Sequence, residues 1–361
     1  MLKQLLSRCH FSFDHFSLCS LSLGLLTTQT FCCFADQQFN EEFNSAYESE
    51  SLNNICQVTY PEMGFEKCGE GYFSPDGTHV IFQAVPKGQA HYQIYVMNLD
   101  EGIPRRVSTG FGACTCAYFK PDGTKIIFAS SHEDPMLYDE DALFRVPGYK
   151  RGTNTYVWEL TPYMNIYEAN TDGTDLVPLT TGPAYSAECA YSSDGLKIVF
   201  ASNRSGSMNI YTMNSDGSDI TQLTFDDSCY NGGPFFSPDS TEIIFRADRQ
   251  KAHYLQLRRI NTNGTDDLQI TDNGAVNWAP YWHPNGKVIA FTTSLHGHAH
   301  YEIYAMSLEN NQQSRITHNE SFDGLPVFNN DGTKMLWTSK RSADGSCQLF
   351  IADFTLPEQL Q

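Results

Sequence analysis

The sequence predicts an all-β fold: a six-bladed β-propeller of four-stranded antiparallel blades, its ring closed by an N-terminal strand. Three observations carry this prediction. One motif recurs six times, as Tyr72-Phe-Ser-Pro-Asp-Gly77, Tyr118-Phe-Lys-Pro-Asp-Gly123, Ala190-Tyr-Ser-Ser-Asp-Gly195, Phe235-Phe-Ser-Pro-Asp-Ser240, Tyr281-Trp-His-Pro-Asn-Gly286 and Val327-Phe-Asn-Asn-Asp-Gly332. Its aromatic anchors, Phe73, Phe119, Tyr191, Phe236, Trp282 and Phe328, lie 46, 72, 45, 46 and 46 residues apart. Each copy is followed by a β-rich run, at His79–Phe82, Lys125–Phe128, Lys197–Phe200, Glu242–Phe245, Lys287–Phe291 and Lys334–Trp337. An aliphatic residue followed by Ser or Thr then closes the unit, at Val107-Ser108, Leu179-Thr180, Leu223-Thr224, Ile270-Thr271 and Ile316-Thr317. Strand–turn–strand chemistry at such a period means one blade per repeat. A lone sheet of this kind cannot bury both faces, whereas a ring of them can.

The third repeat shows the elements in order. Ala187–Tyr191 reads as the innermost strand, Lys197–Ala201 as the second, Asn209–Met213 as the third and Ile220–Thr224 as the fourth. The intervening Ser193-Asp-Gly195 and Ser215-Asp-Gly217 supply the left-handed backbone that tight hairpins need. Third strands recur at Gln93–Met97, Asn165–Ala169, Glu302–Met306 and Gln348–Ala352, with a degenerate form around Tyr254–Ile260. The sixth repeat stops after its third strand, while an extra aliphatic–Thr pair, Val58-Thr59, precedes the first repeat. Ile55–Tyr60 is therefore expected to be the outer strand of the sixth blade, which closes the ring and hides a sheet edge. The propeller is expected over residues 55–354, leaving 355–361 as a tail.

The formal charge of −19 disfavours a phosphate backbone as partner, so nucleic acid is excluded. Residues 1–35 read as a secretion signal. Lys3 and Arg8 lead into an apolar stretch from Phe16 to Leu26, and Cys33 and Ala35 stand where a signal peptidase reads small residues. Asp14 and His15 depart from that pattern. With the signal removed, no stretch is long enough for a spanning helix. Residues 36–54, which include Glu41, Glu42, Glu48 and Glu50, read as an acidic linker. Seven cysteines follow the signal. The hairpin register sets Cys56 opposite Ile351, so Cys56 and Cys347 are not expected to bond. An odd count leaves a free thiol or an intermolecular link, and buried cysteines act as small apolar residues.

Alternating strands divide the loops between two faces. The Pro-Asp-Gly turns are uniform and read as structural. The opposite face, the mouth face, carries the divergent starts of the innermost strands. Three residues before the anchors stand Glu70, Cys116, Glu188, Gly233, Ala279 and Leu325; five before stand Cys68, Cys114, Ser186, Asn231, Asn277 and Asp323. Both sets are expected to ring the channel mouth, with Trp278 beside them. The same face receives an insertion from His132 to about Tyr163, which accounts for the 72-residue spacing and holds Asp134, Tyr149 and Trp158 among other charged and aromatic residues. In Leu295-His-Gly-His-Ala-His300, the alternating His296, His298 and His300 are candidate ligands for a divalent metal together with Glu70 and Glu188. No nucleophile elbow, phosphate-cradling glycine loop or His-Glu-x-x-His motif occurs. A noncatalytic binding role without a cofactor is therefore expected.

The repeated Ser-Pro-Asp-Gly with Ile-Ile-Phe, the Asn-Ile-Tyr-x-Met-Asn of the third strand and Gln-Leu-Thr of the fourth resemble the TolB-type, WD40-like propeller family. Phe322-Asp-Gly-Leu-Pro-Val-Phe328 and Trp337-Thr-Ser-Lys340 are similar to segments of bacterial secreted propellers of this group. The resemblance implies a periplasmic or secreted protein that engages a protein or peptide partner in the cell envelope. It also implies an alternative, a metal-dependent hydrolase or polysaccharide lyase with its site at the channel mouth. The stretch between signal and first strand is expected to be too short for the α/β domain that precedes the propeller in TolB proteins.

Overall fold

A computed structural model describes Phe43 and residues 45–138 and 160–361. The expected secretion signal and most of the insertion, Tyr149 and Trp158 included, lie outside the described residues. The rest forms six four-stranded antiparallel sheets. Their innermost strands are Phe65–Phe73, Cys114–Phe119, Ser186–Tyr191, Asn231–Phe236, Asn277–Trp282 and Asp323–Phe328. In the third blade Lys197–Ser202, Asn209–Asn214 and the short Thr221–Gln222 follow.

The recurring turn is fixed by its acidic residue. Asp76 Oδ1 accepts the Thr78 N–H at 3.0 Å and the Thr78 hydroxyl at 2.8 Å, and Asp122, Asp239 and Asp331 repeat the pair with Thr124, Thr241 and Thr333. Asn285 serves Lys287 and Val288 in the same way. These side-chain acceptors satisfy donors that a tight turn leaves unpaired. Beyond the turn, Phe82, Phe128, Phe200, Phe245, Phe291 and Trp337 of the second strands are wholly buried between blades. Arg204, Arg249 and Arg341 lie over three of these rings, Phe200, Phe245 and Trp337.

The aliphatic–Thr signature also has a physical cause. Thr224 Oγ1 donates to Asn209 Oδ1 at 2.9 Å and accepts the Ile210 N–H at 2.9 Å. Ser108 with Gln93, Thr180 with Asn165, Thr271 with Gln256 and Thr317 with Glu302 repeat the arrangement. The sixth copy joins the two ends of the chain: Thr59 Oγ1 donates to Gln348 Oε1 at 2.8 Å and accepts the Leu349 N–H at 2.9 Å. The closing strand itself is Leu52–Gln57, which pairs with Gln348–Phe354 and sets Cys56 opposite Ile351. It begins three residues earlier than the sequence suggests. Asn54, at a φ of 54°, carries a bulge that lets Leu52 and Ile55 both turn into the core.

Two expectations change. The fourth blade's third strand is not degenerate: Gln256–Asn261 pairs fully with Glu242–Ala247, its Arg258 and Arg259 meeting Asp267 and Glu242. Nor is the stretch after Ser45 a free linker. The Glu48 carboxylate is buried, takes both terminal nitrogens of Arg341 at 3.1 and 3.2 Å, and accepts the His318 N–H at 2.7 Å. Asp323 holds the other side of the Arg341 fork at 2.9 Å and takes the Trp337 indole N–H at 2.8 Å. A buried guanidinium needs such partners, and composition alone did not disclose that one comes from the acidic segment.

Candidate functional site

Every innermost strand bulges at the same place. Glu70, Cys116, Glu188, Gly233, Ala279 and Leu325 have φ values of 43°, 53°, 55°, 58°, 48° and 58°, and the strand register shifts around each. Five of the six are not glycine, so the propeller itself imposes the left-handed backbone. A bulge re-aims its side chain, and here the six residues form one layer across the channel. The freed N–H groups need acceptors. Thr338 Oγ1 serves Glu70, Gln83 Oε1 serves Cys116 and Thr292 Oγ1 serves Leu325, each from the second strand of the preceding blade. Ahead of Gly233 that position is Ala201, which has no acceptor. There Glu188 Oε2 takes the Gly233 N–H at 2.6 Å.

Glu188 is the hub of the layer. Its Oε1 also accepts the Arg246 Nη2 at 2.8 Å and the Tyr230 hydroxyl at 2.7 Å. Tyr230 in turn accepts from Arg246 at 2.9 Å. Both Arg246 and Tyr230 enter space that two glycines leave open. A Cβ on Gly233 would overlap the Arg246 guanidinium, and one on Gly232 would overlap the Tyr230 hydroxyl and Glu188. Glu70 is held more weakly, by the Tyr72 hydroxyl at 3.2 Å and the Cys116 thiol at 3.8 Å. Burial, and next the negative charge of Glu188, push the Glu70 carboxyl up to about 7. The layer sets two carboxylates against one guanidinium.

Two residues further along four of the strands, Tyr72, Tyr118, Phe235 and Tyr281 meet in the middle of the ring. Their ring centroids are 5.0 Å apart for Tyr72–Tyr118, 5.1 Å for Phe235–Tyr281 and 5.8 Å for Tyr72–Phe235, and the Tyr118 and Tyr281 hydroxyls are 2.9 Å apart. Such edge and tilted contacts between rings are favourable. They meet across the channel, and the polar layer next to them, part-exposed at Glu70, Cys116 and Glu188, faces the mouth end of the channel, here called the chamber. A groove between the turns of the fourth and fifth blades, lined by Ser237, Asp239, Trp282 and Asn285, opens on the other face. Its polar lining is the turn chemistry itself, and the titratable cluster is in the chamber.

Of the residues singled out in sequence, Glu70, Cys116 and Glu188 share this chamber. Those five before the anchor do not line its mouth. Asn231, Asn277 and Asp323 are fully buried. Asn231 bonds Arg249, Asn277 bonds Gln256 and Asn273, and Asp323 bonds Arg341 and Trp337. They hold neighbouring segments together because a buried polar side chain must find partners. Trp278 packs part-buried against Tyr301 and Phe322. His132 occupies the place that Arg204 takes in the third blade, with its ring 4.5 Å from that of Tyr167. Asp134 is buried, and its Oδ1 accepts the Met136 N–H at 2.9 Å at the start of the 3-10 turn Pro135–Tyr138. His296, His298 and His300 are exposed and turn to separate partners, the Tyr304 hydroxyl, the Tyr301 hydroxyl and the Glu320 carbonyl. Among the described residues no group of three or more His, Cys, Asp or Glu side chains is placed to hold a metal ion, so these histidines do not fit a metal centre as they stand. Sequence reasoning missed Arg246 and Tyr230. The signal was present: Gly232-Gly233 interrupts a β-rich strand, and Arg246 stands where other blades carry Gln83, Ala129, Ala201, Thr292 and Thr338.

Comparison with known proteins agrees with this geometry. The family model described as PD40, TolB beta propeller domain, matches residues 147–274 and 232–357, more than half of the chain. A Protein TolB homolog from Chlorobium luteolum is 32% identical over 179 residues, which are 50% of this chain and 37% of that protein, so the chain spans little over a third of that relative's length. Among solved structures, a TolB from Agrobacterium tumefaciens superposes with a TM-score of 0.55 at 19% identity, covering 84% of this chain and 97% of the other. An oligogalacturonate lyase from Vibrio parahaemolyticus superposes with a TM-score of 0.51 at 13% identity, covering 85% and 94%. At such identities the two structures speak for the fold alone. The repeats, the closed ring of six four-stranded blades and the family match together establish that this chain belongs to the TolB β-propeller family.

Proposed function

We propose that this propeller is a noncatalytic, cofactor-free binding platform of the periplasm or the secreted space. It engages a protein or peptide of the cell envelope at the mouth face, and a cationic side chain of that partner enters the chamber to meet Glu70. The observation that carries the reading is the part-exposed polar layer in the chamber. Tyr72, Tyr118, Phe235 and Tyr281 meet next to it, and it holds one carboxylate more than it has guanidinium groups. A carboxyl pushed up to about 7 by burial and a like charge gains from a neighbouring cation. Rigid floors and walls suit binding more than turnover. No acid–base partner faces Glu70 across an open space, because Glu188 already serves Gly233, Tyr230 and Arg246. Among the described residues no helix is long and apolar enough to cross a membrane. The reading places the chain outside the cytoplasm on the strength of the leader-like residues 1–35 and the TolB family.

The test uses short peptides bearing a single lysine, free or acetylated, offered to the immobilised protein at pH 6 and pH 8. Glu70 loses its proton as pH rises through about 7, so free-lysine peptides are expected to bind more tightly at pH 8. Acetylation, or Glu70→Gln, is expected to weaken binding roughly tenfold, equivalent to about 1.4 kcal/mol. Binding that is indifferent to acetylation, to Glu70→Gln and to pH would overturn the reading.

A further inference from the structure

The blades are joined by a contact that recurs at every boundary. The residue five before each anchor donates its N–H to the carbonyl of the residue just ahead of the preceding blade's third strand. The pairs are Cys114 with Tyr92, Ser186 with Met164, Asn231 with Met208, Asn277 with Leu255 and Asp323 with Tyr301, at 2.7–3.2 Å. At the seam between the sixth blade and the first, the same contact joins Cys68 to Cys347, at 2.8 Å. At this boundary alone of the six, a cysteine meets a cysteine.

The geometry points to a disulfide between Cys68 and Cys347, formed when the folded chain meets a disulfide donor, that locks the first blade to the last. A direct main-chain hydrogen bond between two residues brings their Cα atoms within the ~4.4–6.8 Å that a disulfide spans. The side chains share a face as well. Leu349 and Ile351 pack in one apolar cluster with Cys68; Cys347 immediately precedes their strand, Gln348–Phe354, in phase with them, and its thiol is close enough to act electrostatically on that of Cys68. Both thiols are free as the chain stands. Cys68 is buried, and burial together with the nearby Cys347 raises its thiol, which the Thr59 hydroxyl partly offsets. Burial raises the Cys347 thiol too, which the positive charges of Lys340 and Lys67 partly offset; Cys347 is half-buried where Cys68 is buried, so it is the sulfur a donor reaches first.

The chemistry balances with a small disulfide such as oxidised glutathione. The Cys347 thiolate attacks one donor sulfur, the donor S–S bond breaks, and a mixed disulfide forms with release of one glutathione thiolate. Cys68 then attacks the Cys347 sulfur and releases the second. The two cysteine protons pass to the two thiolates, the donor is reduced by two electrons, and the cysteine pair is oxidised by two. The enclosed loop of about 280 residues is nearly the whole ring, and longer loops are where a cross-link restricts the unfolded chain most. The proposed export supplies an oxidising setting, but the geometry is testable without it.

The test incubates the purified, reduced chain with oxidised glutathione under native conditions, followed by intact-mass measurement, non-reducing peptide mapping and a melting curve. Loss of two hydrogen masses, a peptide linking Cys68 to Cys347 and a rise of roughly 5 °C or more in melting temperature are expected. Cys347→Ser, at a half-buried position, is expected to keep the fold and lose all three responses. Glutathione retained on Cys347, or a cross-link between other cysteines such as Cys116 and Cys189, would overturn the assignment. Failure of peptide binding would leave this result untouched, so the two proposals fall separately.

Discussion

The third and sixth blades share one bonding plan and differ in where their parts come from. In the third, all four strands follow one another within residues 186–222. In the sixth, three strands lie within residues 323–354 and the fourth is Leu52–Gln57. Thr224 with Asn209 and Thr59 with Gln348 make equivalent bonds. The arginine after the second strand marks the contrast. Arg204 is exposed and bonds the Ser186 and Ser202 hydroxyls, whereas Arg341 is buried between Glu48 and Asp323. A repeat can thus stay chemically intact when its sequence is split, and in this pair of blades the split one carries the more deeply buried charges.

The largest effect is expected from a truncation that begins at Glu62. It removes Leu52–Gln57, Thr59 and Glu48 together, exposes the edge of Gln348–Phe354 and leaves Arg341 and Asp323 without Glu48. We expect loss of the cooperative melting transition, or aggregation, by calorimetry and gel filtration. A truncated chain that melts like the intact one would show that the displaced strand is dispensable to the sixth blade.

Next in size, Arg341→Met is expected to cost about 3–5 kcal/mol in urea unfolding, because two buried carboxylates lose their shared partner. Arg204→Met is expected to cost less than about 1 kcal/mol, as for an exposed side chain. Equal costs would show that the acidic segment adds nothing to the sixth blade.

The smallest and most discriminating pair is Thr59→Ala against Thr224→Ala. Each strands a strand N–H and takes a hydroxyl donor from a buried amide oxygen, so each is expected to cost about 1–3 kcal/mol; Asn209 Oδ1 keeps the Asp226 N–H at 3.0 Å, so Thr59→Ala should cost at least as much as Thr224→Ala. A neutral Thr59→Ala beside a costly Thr224→Ala would mean that the closing strand is held by apolar contacts such as Leu52 and Ile55 instead.

The same contrast explains what could be read in the sequence. Interactions within one repeat recur at a fixed offset, so the turn aspartates, the strand periods and the Thr signature were legible, and Thr59 could be recognised as a displaced copy. The bulge positions were identifiable by alignment to the anchors, which placed Glu70, Cys116 and Glu188 together. Interactions that occur once were not legible. Glu48 and Arg341 are 293 positions apart with no second example to reveal the rule. Arg246 reaches Glu188 across a blade boundary through space that Gly232 and Gly233 leave open. Asn231, Asn277 and Asp323 were misplaced at the mouth because divergence between repeats marks different buried partners as readily as it marks different ligands.

The aromatic cluster across the channel has a kinetic consequence. A partner's side chain that enters the chamber meets Tyr72, Tyr118, Phe235 and Tyr281 ahead of it and, still attached to the partner, leaves the way it came. Arrival and departure share a single door. A partner that covers the mouth while one of its side chains occupies the chamber must lift off before that side chain is free. Its residence time is then set by the whole contact and not by the inserted group alone.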